Sequence, residues 1–317
     1  MQQVSRKERE RLAGRILSEM GRVTAEALLD PDTVELMLNS DGKVWVEKQG
    51  RKAEHIADMS HVDAITLFNT IADSLGEVVN SKSPILEGKL IVNGGRFEGC
   101  IPPIVDAPIF AIRNKARKVY TLDEYVLDGT LTERQVEALR EGIRRNRNIL
   151  VVGSTGSGKT TLTNAILAEI GIMHPDDRLV TMEDTPELQV SVQNHVSLYT
   201  SINASMRDLL KATMRLRPDK IVVGETRGAE ALDLLKAWNT GHSGGVSTVH
   251  ANSALAGLTR LEELCAEATE RPTQNLIAEA VNISLFIERT PQGRKVTEML
   301  AVSGYDHTKK QYTTTPL

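Results

Sequence analysis

The spacing of apolar and polar residues predicts a first region of mixed helices and strands, followed by a linker. Apolar positions at helical spacing predict helices over residues 5–29 and near 61–75. Short apolar and β-branched runs predict strands at 34–38, 43–47, 89–101 and 108–113. Residues 39–42, with the sequence NSDG, have the composition of a hairpin turn. These elements predict an N-terminal α+β domain over residues 1–115 and a linker, poor in periodicity, over 116–131.

The second region alternates strands with helices. Thr132 begins a capping-box pattern that predicts a helix to about Arg145. Strands are predicted at 148–153, 178–183, 220–224 and 245–249, and helices at 159–170, 205–216, 228–239 and 253–270. This alternation predicts a mostly parallel sheet with helices on both faces, in a domain over 132–317 that ends in short antiparallel strands over 283–312. The predicted fold class is therefore α/β.

Composition and charge narrow the classes of protein. A chain of 317 residues, 40% hydrophobic and 25% charged, is typical of a globular protein with two domains. The net charge of −4 and the aromatic content of 3% argue against direct nucleic-acid binding. No run approaches the ~20 apolar residues of a membrane span, and the first residues lack the apolar core of a signal peptide. Cys100 and Cys265 suggest neither a disulfide framework nor a zinc site, so the sequence predicts a protein of the reducing cytoplasm.

Residues 153–160 have the sequence GSTGSGKT, which is a complete phosphate-loop motif. A buried strand is predicted before it and a helix after it, which makes an ordinary glycine-serine turn a poor explanation. Glycines let backbone N–H groups point at phosphate oxygens, and the start of the helix adds its positive dipole end. Lys159 is expected to reach the β- and γ-phosphates of a nucleoside triphosphate, and the Thr160 hydroxyl to bind Mg²⁺. The predicted nucleotide ligands are Gly153, Ser154, Thr155, Gly156, Ser157, Gly158, Lys159, Thr160 and Thr161.

Two carboxylates are predicted at the ends of neighbouring strands, where open α/β sheets bind their ligands. Glu225 follows the strand at 220–224, where a carboxylate can orient or deprotonate the water that attacks the γ-phosphate, or hold Mg²⁺ through water. Most phosphate-loop proteins carry an aspartate on this strand, but Gly224 precedes Glu225 here. Glu183, in an acidic cluster after the strand at 178–183, is therefore expected to share in holding the metal.

Two histidines lie in the glycine-rich segment 240–252. His250 follows a predicted strand and is expected to bind the γ-phosphate and to sense its loss. His242 is either a second functional residue or part of a simple turn. A zinc pair formed by the two is rejected, because a third ligand is absent.

Hydrolysis of a γ-phosphate commonly uses an arginine to stabilise charge in the transition state. The candidates are Arg113, Arg117, Arg207, Arg215, Arg217 and Arg227. Spacing alone does not choose among them. If the arginine acts across a subunit boundary, the active unit is a ring.

Four segments together resemble the secretion ATPase superfamily. They are the phosphate loop, the acidic box at 182–187, the strand that ends in Gly-Glu within 217–228, and the histidine box at 240–252. Within the superfamily, the chain is most similar to the hexameric traffic ATPases of type IV secretion and conjugation. The resemblance is strong over residues 90–290 and looser before them, and the four boxes together are highly specific.

The resemblance implies a RecA-like phosphate-loop domain that hydrolyses ATP with Mg²⁺ in a homohexameric ring, with nucleotide bound between the two domains. It implies phosphate and Mg²⁺ roles for Lys159 and Thr160, catalysis by Glu225, the acidic-box role for Glu183 and sensing by His250. Arg113 resembles the N-domain arginine that approaches the phosphates. Such proteins work at the cytoplasmic face of the inner membrane, docked on other secretion ATPases and on channel proteins.

Other functions compete with this interpretation. A pilus motor or a type II secretion ATPase often carries a four-cysteine zinc element, and the chain has two cysteines, which favours conjugation. A nucleotide-gated assembly protein would bind ATP and hydrolyse little, against which Glu225 argues. A DNA translocase or helicase is opposed by the acidic net charge. The helix over 5–29 carries an excess of positive charge, so peripheral membrane contact stays open, as does the cargo: DNA, pilin or both.

Overall fold

The chain divides into two units, Met1–Arg117 and Lys118–Leu317. They are seen in a computed structural model that describes residues 6–48, 51–114, 119–201 and 203–317. No helix among these residues combines the length and the apolar character needed to cross a membrane.

The first unit has an antiparallel sheet with helices packed on it. Its elements are α1 (Arg6–Glu19), α2 (Arg22–Leu29), β1 (Thr33–Leu38), β2 (Lys43–Lys48), β3 (Glu54–Asp58), α3 (His61–Leu75), β4 (Ile85–Lys89), β5 (Arg96–Cys100) and β6 (Ile109–Arg113). The strands lie in the order β3-β2-β1-β6-β5-β4. Phe68 of α3 and Phe97 of β5 are fully buried and meet edge to face, which places the core between helix and sheet.

Two predictions for the first unit are wrong in detail. The single helix predicted over 5–29 is divided within the described residues, because the chain turns at Gly21 with a φ of 75°, a value that glycine adopts without strain. The stretch 89–101, predicted to be strand, holds only the last residue of β4, then a turn and β5. Its turn is closed by hydrogen bonds from Leu90 N–H to Gly95 O and from Gly94 N–H to Leu90 O. The helix predicted near 61–75 is confirmed as α3.

The second unit is built on one mixed sheet between helices. Its elements are α4 (Leu122–Leu127), α5 (Glu133–Arg144), β7 (Ile149–Val152), α6 (Lys159–Met173), β8 (Leu179–Glu183), β9 (His195–Tyr199), α7 (Met206–Thr213), β10 (Lys220–Val223), α8 (Glu230–Asn239), β11 (Val246–Val249), α9 (Ala254–Ala266), α10 (Gln274–Ala280), β12 (Ile283–Thr290), β13 (Gly293–Asp306) and β14 (Gln311–Pro316). The strand order is β14-β13-β12-β7-β11-β10-β8-β9. Across the sheet, the neighbouring strands β9, β8, β10, β11, β7 and β12 are parallel to one another. Strand β13 is antiparallel to β12, and β14 is antiparallel to β13. The predicted α/β fold class is confirmed.

The structure departs from the prediction in four places in this unit. The linker predicted over 116–131 contains α4, whose Leu122 and Tyr125 are buried in the core of the second unit, while 115–118 lie outside the described residues. The sequence analysis missed β9 and α10. Strand β12 was expected to be antiparallel, but it lies parallel to β7 before the chain reverses into β13. The capping box at Thr132 is confirmed, since Thr132 and Gln135 exchange hydrogen bonds.

The sheet brings the ends of four strands to one edge. Strands β7, β8, β10 and β11 are adjacent and parallel, so their carboxyl ends point the same way. All the residues of β7, β10 and β11 are buried, which fixes the positions of the loops that follow them. Ligands of open α/β sheets bind at this edge.

Candidate nucleotide site

The phosphate loop leaves β7 and enters α6 in a conformation that depends on its glycines. Gly156 and Gly158 have φ values of 72° and 101°, in the left-handed region that other residues avoid. A Cβ atom at Gly153 would lie 2.4 Å from the carbonyl oxygen of Ile287 and 2.5 Å from Ser157 Oγ. The loop therefore curls tightly against β12, and a side chain at these positions would open it.

The polar groups of the loop fit a bound phosphate. The Ser157 side chain is buried, and its Oγ has no hydrogen-bond partner within the described part of the chain. Helix α6 begins at Lys159, so the first N–H groups of the helix have no acceptor within it. Buried hydroxyl and amide donors without acceptors are costly, and an anion at the helix start would satisfy them. Thr160, in the first turn and half-buried, carries the hydroxyl that could hold Mg²⁺ beside that anion.

Lys159 lies folded into the loop. Its Nζ donates to the carbonyl oxygens of Gly153 at 2.9 Å and Ser154 at 3.0 Å, and the residue is 8% exposed. The same Nζ lies 3.2 Å from His250 Nδ1. The ammonium of the loop is therefore joined directly to the residue that follows β11.

His250 connects Lys159 to Glu225. Partial burial, and then the Lys159 charge, lower the pKa of His250 from its ordinary 6.5. The imidazole is therefore neutral at neutral pH, and in the tautomer protonated on Nε2 its Nδ1 can accept from Lys159. Its Nδ1 accepts from Lys159, and its Nε2 is in close contact with Glu225 Oε1.

Arg227 holds the other oxygen of Glu225. Its guanidinium lies 2.5 Å from Glu225 Oε2 and 3.5 Å from Asp184 Oδ2. The Glu225 carboxylate raises the pKa of Arg227, which stays charged. Among the candidate arginines within the described residues, Arg227 is therefore the one that contacts Glu225 of the Lys159–His250–Glu225 line.

Gly224 makes room for the acidic box. A Cβ atom at this position would lie 3.0 Å from Glu183 Cγ, closer than the two can pack without a shift. Glu183 is 4% exposed, and its Oε1 accepts from the backbone N–H groups of Glu187 at 2.7 Å and Leu188 at 2.8 Å. Glu183 thus fixes the start of the loop after β8. Its role toward a metal stays a prediction.

Two other candidate residues of the second unit have partners outside this line. His242 precedes β11, so it lies at the opposite edge of the sheet, where its ring is 2.9 Å from Pro218 O. Arg207 pairs with Asp233 at 2.7 Å. Arg113 ends β6 in the first unit and is exposed, while Arg117 is outside the described residues.

One residue near the loop was missed by the sequence analysis. Arg294, near the start of β13, packs against Gly158. It is 138 positions away from Gly156 of the loop along the chain, and no motif marks it. Only the β12–β13 hairpin brings it to the phosphate loop.

The protonation of His250 predicts a pH effect on stability. Because its pKa is lower in the folded protein, unfolded His250 takes up a proton near pH 6.5 while the folded residue resists. The contribution of His250 is therefore complete above pH 6.5, and it decreases as pH falls through that value toward the folded pKa. Urea unfolding between pH 7.5 and 5.5 should show a smaller loss of stability in His250→Gln than in the wild type.

A matched control separates this effect from general acid denaturation. His307→Gln changes an exposed histidine of the same unit, hydrogen-bonded to Asn275 rather than to the site. It should keep the wild-type decrease below pH 6.5. Equal pH dependence in the wild type and His250→Gln would contradict a lowered pKa.

Comparison with known proteins identifies the class. The chain belongs to the family of type II/IV secretion system proteins, whose model matches residues 25–291. It is 47% identical over 295 residues to the conjugal transfer protein TrbB of Rhizobium radiobacter, covering 93% of this chain and 91% of that protein. The membership predicted from the four sequence boxes, and the resemblance to proteins of type IV secretion and conjugation, are confirmed.

Solved structures share the fold. The VirB11 ATPase of the Brucella suis type IV secretion system, in complex with sulphate, aligns with a TM-score of 0.50 and 24% identity over 93% of this chain and 96% of that one. The pilus retraction motor PilT with bound ADP aligns with a TM-score of 0.65 and 17% identity over 90% of this chain and 83% of that one. At these identities the comparisons show the fold alone.

Proposed function

We propose that the chain is the ATPase of a type IV secretion or conjugal transfer system. The observation that carries the proposal is the continuous line from Lys159 through His250 to Glu225 at the mouth of a phosphate loop. The names of the relatives, a conjugal transfer protein and a type IV secretion ATPase, support the biological setting. The membership of the family supports nucleotide binding.

The residues suggest how ATP would be bound and split. The backbone N–H groups of the loop and the Lys159 ammonium hold the phosphates, and Lys159 exchanges the carbonyl oxygens of Gly153 and Ser154 for phosphate oxygens. Glu225 takes a proton from water as the water oxygen bonds to the γ-phosphorus. The bond to the bridging oxygen then breaks, leaving ADP and phosphate. Mg²⁺ on the Thr160 hydroxyl would neutralise charge on the phosphates.

His250 suggests how the state of the nucleotide would be sensed. It contacts Lys159 in the present structure, and a γ-phosphate would draw the ammonium away from its Nδ1. The freed nitrogen and the contact of Nε2 with Glu225 then report whether the phosphate is present. Loss of phosphate restores the Lys159 contact. We propose that this exchange couples hydrolysis to the motion that the ATPase passes on.

The assembly and its surroundings are part of the proposal. We propose a homohexameric ring in which Arg113 acts on the phosphates of the nucleotide, and which works at the cytoplasmic face of the inner membrane. Its partners would be other secretion ATPases and inner-membrane channel proteins, reached through peripheral association and without direct nucleic-acid binding. The VirB11 ATPase from a type IV secretion system supports such a setting for a protein of this fold.

A pilus motor is the second candidate. The likeness to PilT supports it only through the fold, and the 47% identity to TrbB favours conjugation. A nucleotide-gated assembly protein is the third. Such a protein would still bind the nucleotide through Lys159, but it would not need Glu225 to catalyse hydrolysis.

Genetic complementation joined to an ATPase assay tests the proposal. The purified chain should hydrolyse ATP only with Mg²⁺ and sediment as a hexamer. Its gene should restore plasmid transfer to a donor from which that gene has been deleted. A protein that hydrolyses ATP and restores pilus retraction, but does not restore plasmid transfer, would favour the pilus motor. A protein inactive toward ATP that still restores transfer would favour the assembly protein.

A further inference from the structure

The β12–β13 hairpin forms one wall of the phosphate loop. At one point the carbonyl oxygen of Ile287 approaches Gly153 so closely that a Cβ atom there would lie 2.4 Å away. At another, a Cβ atom at Gly158 would lie 2.8 Å from Arg294 Cδ and 3.2 Å from Arg294 Nε. The side chain of Arg294 therefore lies directly over the residue that precedes α6.

The guanidinium of Arg294 is poorly satisfied by the protein. Its Nε is shielded from solvent and has no acceptor within the described ranges. One terminal nitrogen lies 3.5 Å from Gly156 O, the outer limit of a hydrogen bond. No carboxylate pairs with Arg294 in the part of the chain that the structure describes. A shielded donor without an acceptor is costly, so this arrangement needs a further explanation.

Packing alone does not explain the arrangement. The methylene groups of Arg294 cover Gly158, and an apolar side chain would do the same without placing a charge beside the loop. A guanidinium has five donors in a planar fork that matches phosphate oxygens. The neighbouring groups on the loop side are Lys159 and the start of α6, both of which attract an anion.

The position of Arg294 in the sheet indicates which phosphates it could bind. Glu225 and His250 follow β10 and β11, whereas Arg294 belongs to the hairpin that begins with β12. The order β12-β7-β11-β10 puts the hairpin and the Glu225 line on opposite sides of the loop strand β7. Arg294 is therefore separated from the place where Glu225 would act on the terminal phosphate.

We propose that Arg294 is a further phosphate ligand of the site, donating to phosphate oxygens that ADP and ATP share. It strengthens the binding of both nucleotides and is not needed for hydrolysis itself. The inference rests on the proposed nucleotide site and adds a ligand that the phosphate-loop motif does not contain.

The test compares Arg294→Met with the wild type in titrations with fluorescent ADP and with a fluorescent, non-hydrolysable ATP analogue. Methionine keeps the aliphatic cover over Gly158 and removes the guanidinium. Loss of a charged hydrogen bond should weaken the binding of both nucleotides by about 10- to 100-fold, to a similar extent. In steady state KM for ATP should rise and kcat should stay within about twofold, as expected for uniform binding. Arg294→Lys should recover part of the affinity.

The control is Lys295→Ala, which removes a positive charge from the next, exposed position of the same strand. It should bind both nucleotides as the wild type does. Wild-type affinity in Arg294→Met would overturn the inference, as would a fall in kcat with unchanged affinity. An affinity loss matched by a lower melting temperature of the nucleotide-free variant would also overturn it, because packing would then suffice. A wild type that binds neither nucleotide would instead contradict the proposed function.

Discussion

Replacing Lys159 by alanine is expected to abolish ATP hydrolysis and to weaken nucleotide binding by about 100-fold. The ammonium reaches the phosphates only by leaving two loop carbonyls, so the variant loses the one charged side chain at the centre of the loop. A charged hydrogen bond to phosphate contributes about 1.5–3 kcal/mol, and every 1.4 kcal/mol is tenfold in affinity. Isothermal titration with ADP and a coupled assay of ATP turnover measure the two effects.

Two controls make this result specific. Lys159→Arg keeps the charge but not the compact geometry of an ammonium, so it should recover binding only in part. Circular dichroism and thermal unfolding without nucleotide should show that Lys159→Ala is folded. Wild-type turnover in a folded Lys159→Ala protein would remove the phosphate loop from the mechanism.

Replacing Glu225 by glutamine is expected to separate binding from hydrolysis. The amide is nearly the same size and still accepts a hydrogen bond, but it cannot take a proton from water. Loss of the catalytic base should lower kcat by about 10²–10⁴-fold. The dissociation constant for ATP should change little, because Glu225 joins Lys159 only through His250. Single-turnover kinetics and nucleotide titration on the same preparation measure both quantities.

The Glu225→Gln variant also distinguishes the candidate functions. It loses the negative partner of Arg227, so Asp184→Asn serves as the control that removes a second carboxylate near this guanidinium. Asp184→Asn should retain most of the hydrolysis. If Glu225→Gln still supports plasmid transfer, the chain works as a nucleotide-gated assembly protein and hydrolysis is not required.

Local patterns predicted the parts of the fold that local sequence determines. The capping box at Thr132 and the loop between β7 and α6 depend on residues close in sequence, and both are found in the structure. The turn between β4 and β5 was not predicted, because Leu90, Ile91 and Val92 continue the apolar pattern into it. Helix α4 was missed because it is six residues long and is stabilised by burying Leu122 and Tyr125 in the core.

The sequence predicted most residues of the site, but only part of the contacts between them. Each strand end carried a chemical signal that a short segment could show: the phosphate loop, Glu183, Glu225 and His250. Which arginine joins them depends on the order of strands, since Arg227 meets Asp184 of a different strand end. Arg294 carries no signal in sequence, because a hairpin more than a hundred positions further on brings it to the loop.

A crystal structure with Mg²⁺ and a non-hydrolysable ATP analogue tests the central claim most directly. The account predicts that residues 153–160 surround the phosphates, that Lys159 contacts the terminal phosphate, and that Glu225 faces the same phosphorus. A structure in which the analogue binds elsewhere, while Lys159 keeps its contacts with the loop carbonyls and Glu225 points to solvent, would contradict it.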